Sequence, residues 1–268
     1  MFKQRLLTTL LLVPLVLLGI YYANLTAIST IAVLLLLACG YEWQQLIPLN
    51  RDVSSQIAFM AALLIAMVLT QYLFQYWLPA GLFVWALIAI AIIRFPHSQS
   101  WWGYRITLTC AALLLLPLFA QSLIQIFQLN HGKAFFVTLL LLVWCADTGG
   151  YLAGKLCGQH RLIPQVSPGK TVEGIIGGLL LTLVVGYSSA TYFRLEGHPL
   201  MLWLALALFI FILALIGDLL ISMLKRRVQI KDTGAIFPGH GGVLDRLDSL
   251  IAASPAFYFG LIWIGQGT

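Results

Sequence analysis

The sequence predicts an all-α, polytopic transmembrane helical protein of about nine spans. Its N-terminus is expected on the cytoplasmic side, with the chemistry in cytoplasmic loops of the C-terminal half. Composition, the spacing of apolar runs and the placement of charge carry that expectation. Of 268 residues, 61% are hydrophobic and 9% charged, and the mean hydropathy is +0.96. Soluble domains are about half apolar and about one quarter charged. Too few charges remain to cover a globular surface, which excludes a soluble enzyme, a disordered tail and a single-anchor peripheral protein.

Nine runs approach the ~20 apolar residues that a spanning helix needs: Leu6–Tyr22, Leu25–Tyr41, Ile57–Leu73, Leu78–Ile93, Ile106–Phe127, Phe135–Ala146, Thr171–Phe193, Met201–Ile216 and Leu250–Ile264. The first follows Lys3 and Arg5 as a signal peptide would. No small-residue cleavage site follows it, so it reads as retained.

Charge placement tests the alternation. Nine crossings from a cytoplasmic N-terminus put Lys3, Arg5, Arg51, Arg94, Arg105, Lys155, Arg161, Lys170, Lys225, Arg226, Arg227, Lys231 and Arg246 inside, and only Lys133 and Arg194 outside. That is thirteen against two of the 15 basic residues. A net charge of +6 spread in this way reads as membrane orientation, not nucleic-acid binding. The four cysteines form no CxxC and read as small core residues or free thiols.

The chain divides into residues 1–140, about five spans and the start of a sixth with Glu42 and Asp52 as the only acids, and residues 141–268, which hold two polar loops. Two spans separate these loops, so both face one side and can share a site.

In the second loop, Asp218 ends an apolar run, where a carboxylate is costly unless it meets a cation, a cavity or a partner. Helical spacing puts Asp218, Ser222, Lys225 and Arg226 on one face; an intrahelical ion pair is the bland alternative. Lys231 and Asp232 follow. Three glycines then surround His240 in Pro238-Gly239-His240-Gly241-Gly242, a loop whose amides can approach an anion closely. Asp245 and Asp248 fall in the first turn of the last helix, as dipole partners or, beside Asp218, as hard oxygen donors suited to Mg²⁺.

The first loop contributes Asp147, Lys155, Ser167, Lys170 and Glu173. Lys170 lies just ahead of a helix N-terminus, which favours anions. Ser167 or Thr171 can equally be a cap and Pro168 an early-turn residue. Gly174 and Gly178 form a GxxxG, read as close helix packing. Gly149 to Lys155 imitates a P-loop, but Leu156 stands where Ser or Thr is needed and no βαβ unit surrounds it. Cations, carboxylates and a glycine-rich loop at a membrane surface together suit a polyphosphate and a bilayer-borne substrate.

The run Ser222-x-Leu224-Lys225-Arg226, Lys231-Asp232-x-Gly234, Phe237-Pro238-x-His240-Gly241-Gly242-Val243-x-Asp245-Arg246-Leu247-Asp248 resembles the signature of the phosphatidate cytidylyltransferases (CDP-diacylglycerol synthases). Ser167-Pro168-x-Lys170-Thr171-x-Glu173-Gly174 and Asp147-Thr148-Gly149-x-Tyr151 resemble the same family. Ile221 departs from it where many members carry an acid, and Gly150 stands where alanine is common. The resemblance implies a Mg²⁺-dependent transfer of CMP from CTP to phosphatidic acid, releasing pyrophosphate, by a multi-pass protein of the inner membrane. It further implies a homodimer and a second cation such as K⁺.

By the same resemblance, Asp218 and Asp245 match the metal-binding aspartates. The catalytic set then comprises Asp218, Asp245, Lys170, His240 and Arg246. Substrates fall to Asp147, Ser167, Lys170, Glu173, Ser222, Lys225, Arg226, Lys231, Asp232, Gly241, Gly242 and Asp248. A phosphomonoester has its second pKa near ~6, so the nucleophile needs no strong base, and His240 is expected to donate or orient. A CTP-using polyprenol kinase shares the lipid-plus-CTP logic but gives a different nucleotide product. A transporter is disfavoured, because the charge is piled at one face and no inverted repeat is evident.

Overall fold

The computed structural model describes residues 13–47, 52–234 and 241–265. Apolar stretches in lipid have no water to satisfy their backbone, so helix is the economical solution. Among the described residues, which leave out residues 6–12 of the first run, the nine apolar runs fall in eight helices: α1 (Val13–Tyr22), α2 (Leu25–Trp43, continued by a 3₁₀ turn Gln44–Leu46), α3 (Val53–Ile93), α5 (Arg105–Gln128), α6 (Gly132–Cys157), α7 (Val172–Tyr192), α8 (Gly197–Val228) and α9 (Leu244–Trp263). A single-turn helix, α4 (Gln99–Trp102), precedes α5. Among the described residues, six helices are long and apolar enough to cross a membrane. The chain is thus a multi-pass membrane protein.

Two expected spans, Ile57–Leu73 and Leu78–Ile93, form one 41-residue element broken at Leu73 (φ −107°, ψ 18°). Straight, it would run about 60 Å, about twice the hydrocarbon thickness. Instead both its ends lie at the same end of the bundle. Gln44 Nε2 donates to the Gln56 carbonyl at its start. Past its far end, Ser98 Oγ donates to the Ala91 carbonyl and accepts from Trp102 Nε1. Arg227 ties the two together, donating to the carbonyls of Leu46 and Gly103. Phe74, just past the break, packs edge-on against Tyr258 deep in α9.

A second departure is a two-stranded antiparallel hairpin between α6 and α7, β1 (Arg161–Ile163) with β2 (Ser167–Thr171), where only loop was expected. Thr171 leaves the hairpin as the N-cap of α7, its Oγ1 accepting from the Gly174 amide at 3.1 Å.

Helix α5 is central. Its residues from Leu115 to Ile124 are all buried, as a helix apolar all round should be. One hydrophobic core runs through α2, α3, α5, α6, α8 and α9, with Trp43, Trp85, Trp203, Phe119, Phe135 and Phe257 as its largest members. Helices α6 and α7 touch through glycine, since a Cβ on Gly149 would meet the Gly177 carbonyl oxygen at 2.6 Å and one on Gly174 the Gly150 oxygen at 2.8 Å. The GxxxG reading holds. The described cysteines are all free thiols.

Lys133 lies at the opposite end of the bundle from Arg227, donating to the Tyr21 carbonyl at 2.6 Å. The hairpin and the α8–α9 connection therefore share the end where most basic residues gather.

Candidate functional site

At that end a cavity of about 370 Å³ opens between α6, the hairpin, α7, α8 and α9. Asp147, Ser167, Lys170, Asp218, Asp245, Arg246, Asp248 and Ser249 supply its polar wall, and Ile175, Phe211 and Leu215 continue it as apolar surface. Seven residues singled out in the two loops thus converge: Asp147, Ser167, Lys170, Asp218, Asp245, Arg246 and Asp248.

Lys170 Nζ bonds Asp218 Oδ2, and Ser222 Oγ stands 3.4 Å from Asp218 Oδ1. The cation on Asp218 therefore comes from the other loop, and the bland alternative of a pair within α8 fails. Lys225 instead reaches Asp245, Nζ to Oδ1 at 2.6 Å. Asp245 Oδ2 accepts from the Thr233 amide (2.7 Å) and the Gly242 amide (3.1 Å), and the Thr233 hydroxyl stands 3.0 Å from it. Asp245 stands ahead of the apolar run that starts at Leu250. Burial pushes its carboxyl up, but the Lys225 ammonium and these donors outweigh it, so Asp245 titrates below the ordinary carboxylate range. Asp248 is half-buried, with Asp218 and Asp147 as charged neighbours and Lys170 the cation facing all three. Asp147 also faces Arg246, and Ser249 Oγ lies 3.5 Å from its Oδ1.

Four carboxylates line this cavity against Lys170 and Arg246. Excess anionic oxygen of this kind suits a hard divalent cation, and Mg²⁺ needs only one or two carboxylates when water and substrate phosphates complete its shell. Among the described residues no three acidic, histidine or cysteine side chains are grouped to hold a metal alone. The donor set fits Mg²⁺ shared with a phosphate ligand.

Several other expected residues stand elsewhere. Glu173 lies outside the cavity, where its carboxylate accepts from the Gln159 amide at 3.1 Å and meets His160 Nδ1 at 2.6 Å, fastening the turn between α6 and β1. Arg226 holds the hairpin by donating to the Val166 carbonyl at 3.2 Å. Lys231 and Asp232 are exposed beyond the cavity. Ile221, the departure from the family pattern, is buried in the core. His240 lies outside the described residues, as do Pro238 and Gly239.

The glycine-rich segment, expected to cradle a substrate anion, turns its described amides on the protein's own carboxylates. Gly242 serves Asp245, while the Val243 and Leu244 amides donate to Glu42 at 2.9 and 2.8 Å. Glu42, from the half of the chain that read as bland, is 1% exposed. The cost argument that flagged Asp218 applied equally to this acid at the end of an apolar run. Gly241 has φ +81°, a region glycine enters without strain. A Cβ on Gly242 would meet Glu42 Oε2 at 2.2 Å.

Comparison with known proteins agrees with this arrangement. The model of a cytidylyltransferase family matches residues 3–263. A phosphatidate cytidylyltransferase of Pseudomonas aeruginosa is 34% identical over 267 residues, covering 98% of this chain and 97% of the relative. One from Haemophilus influenzae is 35% identical over 185 residues, 65% of this chain and 64% of the relative. One from Bacillus subtilis is 40% identical over 133 residues, 48% of each. Because the family match runs through both polar loops and the helices that carry them, the chain belongs to the cytidylyltransferase family.

Proposed function

We propose that this chain transfers the CMP moiety of CTP to phosphatidate, giving CDP-diacylglycerol and pyrophosphate. The observation that carries the reading is a cavity of carboxylates and cations at the membrane rim whose wall continues as apolar surface, in a chain 34% identical along nearly its whole length to a phosphatidate cytidylyltransferase. A phosphate oxygen of phosphatidate attacks the α-phosphorus of CTP. The bond from that phosphorus to the β-phosphate bridging oxygen breaks, and its electron pair leaves with pyrophosphate. At neutral pH the phosphomonoester is already largely a dianion, so no strong base is required.

The difficulty is bringing polyanions together. Lys170 and Arg246 face the cavity and offset that repulsion and the leaving-group charge. Mg²⁺, held by Asp218 and Asp245 with Asp147 and Asp248 behind them, would supply Lewis-acid screening of the phosphate oxygens. A monovalent cation such as K⁺ is a second ion in the same reading. His240 serves as a hydrogen-bond donor in the same reading.

The reading also places the chain in the inner membrane as a homodimer, with about nine crossings and the site end toward the cytoplasm. The basic residues gathered at that end and the two ends of α3 lying together support the orientation and the count. The test is incubation of purified protein in detergent with phosphatidate, Mg²⁺ and CTP labelled on either the α- or the γ-phosphate. Label is expected in lipid from α-labelled CTP only; γ-label in lipid would assign a kinase instead.

A further inference from the structure

We infer that Glu42 is a positioning residue for the reaction proposed above: it caps the N-terminus of α9 from 201 residues upstream and so holds Asp245 in the cavity wall. This inference rests on the proposed reaction for its kinetic readout alone.

The first amides of a helix have no partner within it. In α9 the N-cap residue is Val243, whose side chain offers no oxygen, and no side-chain cap bond is formed locally. Glu42 fills the gap. Its Oε1 accepts from the Val243 amide at 2.9 Å, and its Oε2 accepts from the Leu244 amide at 2.8 Å and the Thr233 hydroxyl at 2.9 Å. Glu42 is 1% exposed, yet among the described residues its carboxylate is met by amides and a hydroxyl, not by a cation. A helix N-terminus, with its positive dipole end, is where such a charge is tolerated.

Packing makes the fit exclusive. A Cβ on Gly234 would meet Glu42 Oε1 at 2.3 Å and one on Gly242 would meet Oε2 at 2.2 Å, so two loop glycines close on this one carboxylate. The link to Asp245 runs through Thr233, whose hydroxyl stands 2.9 Å from Glu42 Oε2 and 3.0 Å from Asp245 Oδ2 and whose amide donates to Asp245 Oδ2 at 2.7 Å. Beside it, Trp43 docks the end of α2 on α5 and not on the loop, its Nε1 donating to the Leu108 carbonyl at 3.2 Å. Outer partners of this kind orient the groups that touch a metal or substrate, and losing one typically costs about 10–100-fold in activity or metal affinity.

The test uses the full chain in detergent with CTP, phosphatidate and Mg²⁺. Glu42→Gln keeps the side-chain length but turns an amide donor toward loop donors. We expect kcat to fall about 10-fold or more, a higher Mg²⁺ concentration for half-maximal rate, and an unchanged KM for phosphatidate. Glu42→Asp restores part of the rate. Amide hydrogen exchange over residues 241–246 quickens, while that across α6 and α7 does not. Trp43→Phe is the structural control, since it loosens the same helix end without touching the loop. It is expected to lower Tm and leave the Mg²⁺ midpoint in place.

Wild-type kcat and Mg²⁺ midpoint in Glu42→Gln overturn the inference, as does a loss that merely follows Tm in the manner of Trp43→Phe. Should Glu42→Gln not accumulate, Thr233→Val, which removes the bridging hydroxyl, carries the same test, and an unmoved Mg²⁺ midpoint overturns the proposal. A wild-type chain that forms no CDP-lipid refutes the reaction instead. The exchange measurement then still decides the cap, with unchanged exchange over residues 241–246 counting against it.

Discussion

Lys170 in β2 closes on Asp218 in α8, 48 residues later, so the two polar loops are joined by an ion pair at the mouth of one cavity. The pair is partly exposed, with side chains 23% and 32% accessible, and surface pairs contribute little to stability. Its value lies in presenting a cation to phosphate. Lys170→Ala should therefore lower kcat/KM for CTP by about 10²-fold, as loss of one transition-state donor does elsewhere, with little change in Tm. In a double-mutant cycle with Asp218→Asn the losses should fall short of the sum, because paired residues couple. Strictly additive losses, read from steady-state rates, would separate the two residues.

Asp245 binds two kinds of donor, Lys225 on one oxygen and the Thr233 and Gly242 amides on the other. Asparagine can serve only one of them as an acceptor. Asp245→Asn should abolish measurable turnover and also cost stability, up to about 3 kcal/mol for a buried pair that loses one partner. Lys225→Met combined with Asp245→Asn removes both charges, and Tm should recover while turnover does not. A double variant with restored rates would remove Asp245 from the reaction.

The same carboxyl sets a pH dependence. Its folded pKa is depressed, so its contribution is complete above the unfolded value of about 3.9 and is lost as pH falls through the folded value. The Tm difference between wild type and Asp245→Asn should be flat from about pH 5 to 8 and shrink below about pH 4. A difference that grows on acidification would contradict the assignment of donors to Asp245.

Much of this was legible in residue order, for identifiable reasons. Among the described residues each apolar run is helical because lipid leaves the backbone no other partner, and Asp218 announced itself by the cost of an acid at the end of such a run. The same cost applied to Glu42, but its partners lie some two hundred residues away in a loop whose glycines read as a phosphate cradle. The hairpin was invisible because three- and five-residue strands containing Pro168 and Gly169 carry no alternating pattern. The family resemblance implies Glu173 as a substrate residue. On the first turn of a helix its side chain instead points back to Gln159 and His160, a relation set by the turn rather than by spacing.

The α6–α7 seam yields a contrast between two adjacent glycines. A Cβ on Gly149 would stand 2.6 Å from the Gly177 oxygen and 3.0 Å from the Gly178 Cα, all backbone, whereas one on Gly150 meets only the Gly174 oxygen at an ordinary 3.7 Å. Backbone cannot swing aside as a side chain can, so Gly149→Ala must push the helices apart, at about 1–3 kcal/mol for an overpacked contact. Asp147 sits two residues before this contact and Lys170 just ahead of α7, so the separation should also widen the cavity between them. Gly149→Ala is therefore expected to lower both Tm in detergent and kcat/KM. Gly150→Ala should leave both near wild type, and equal losses in the two variants would mean that the seam is not held by backbone contact at Gly149.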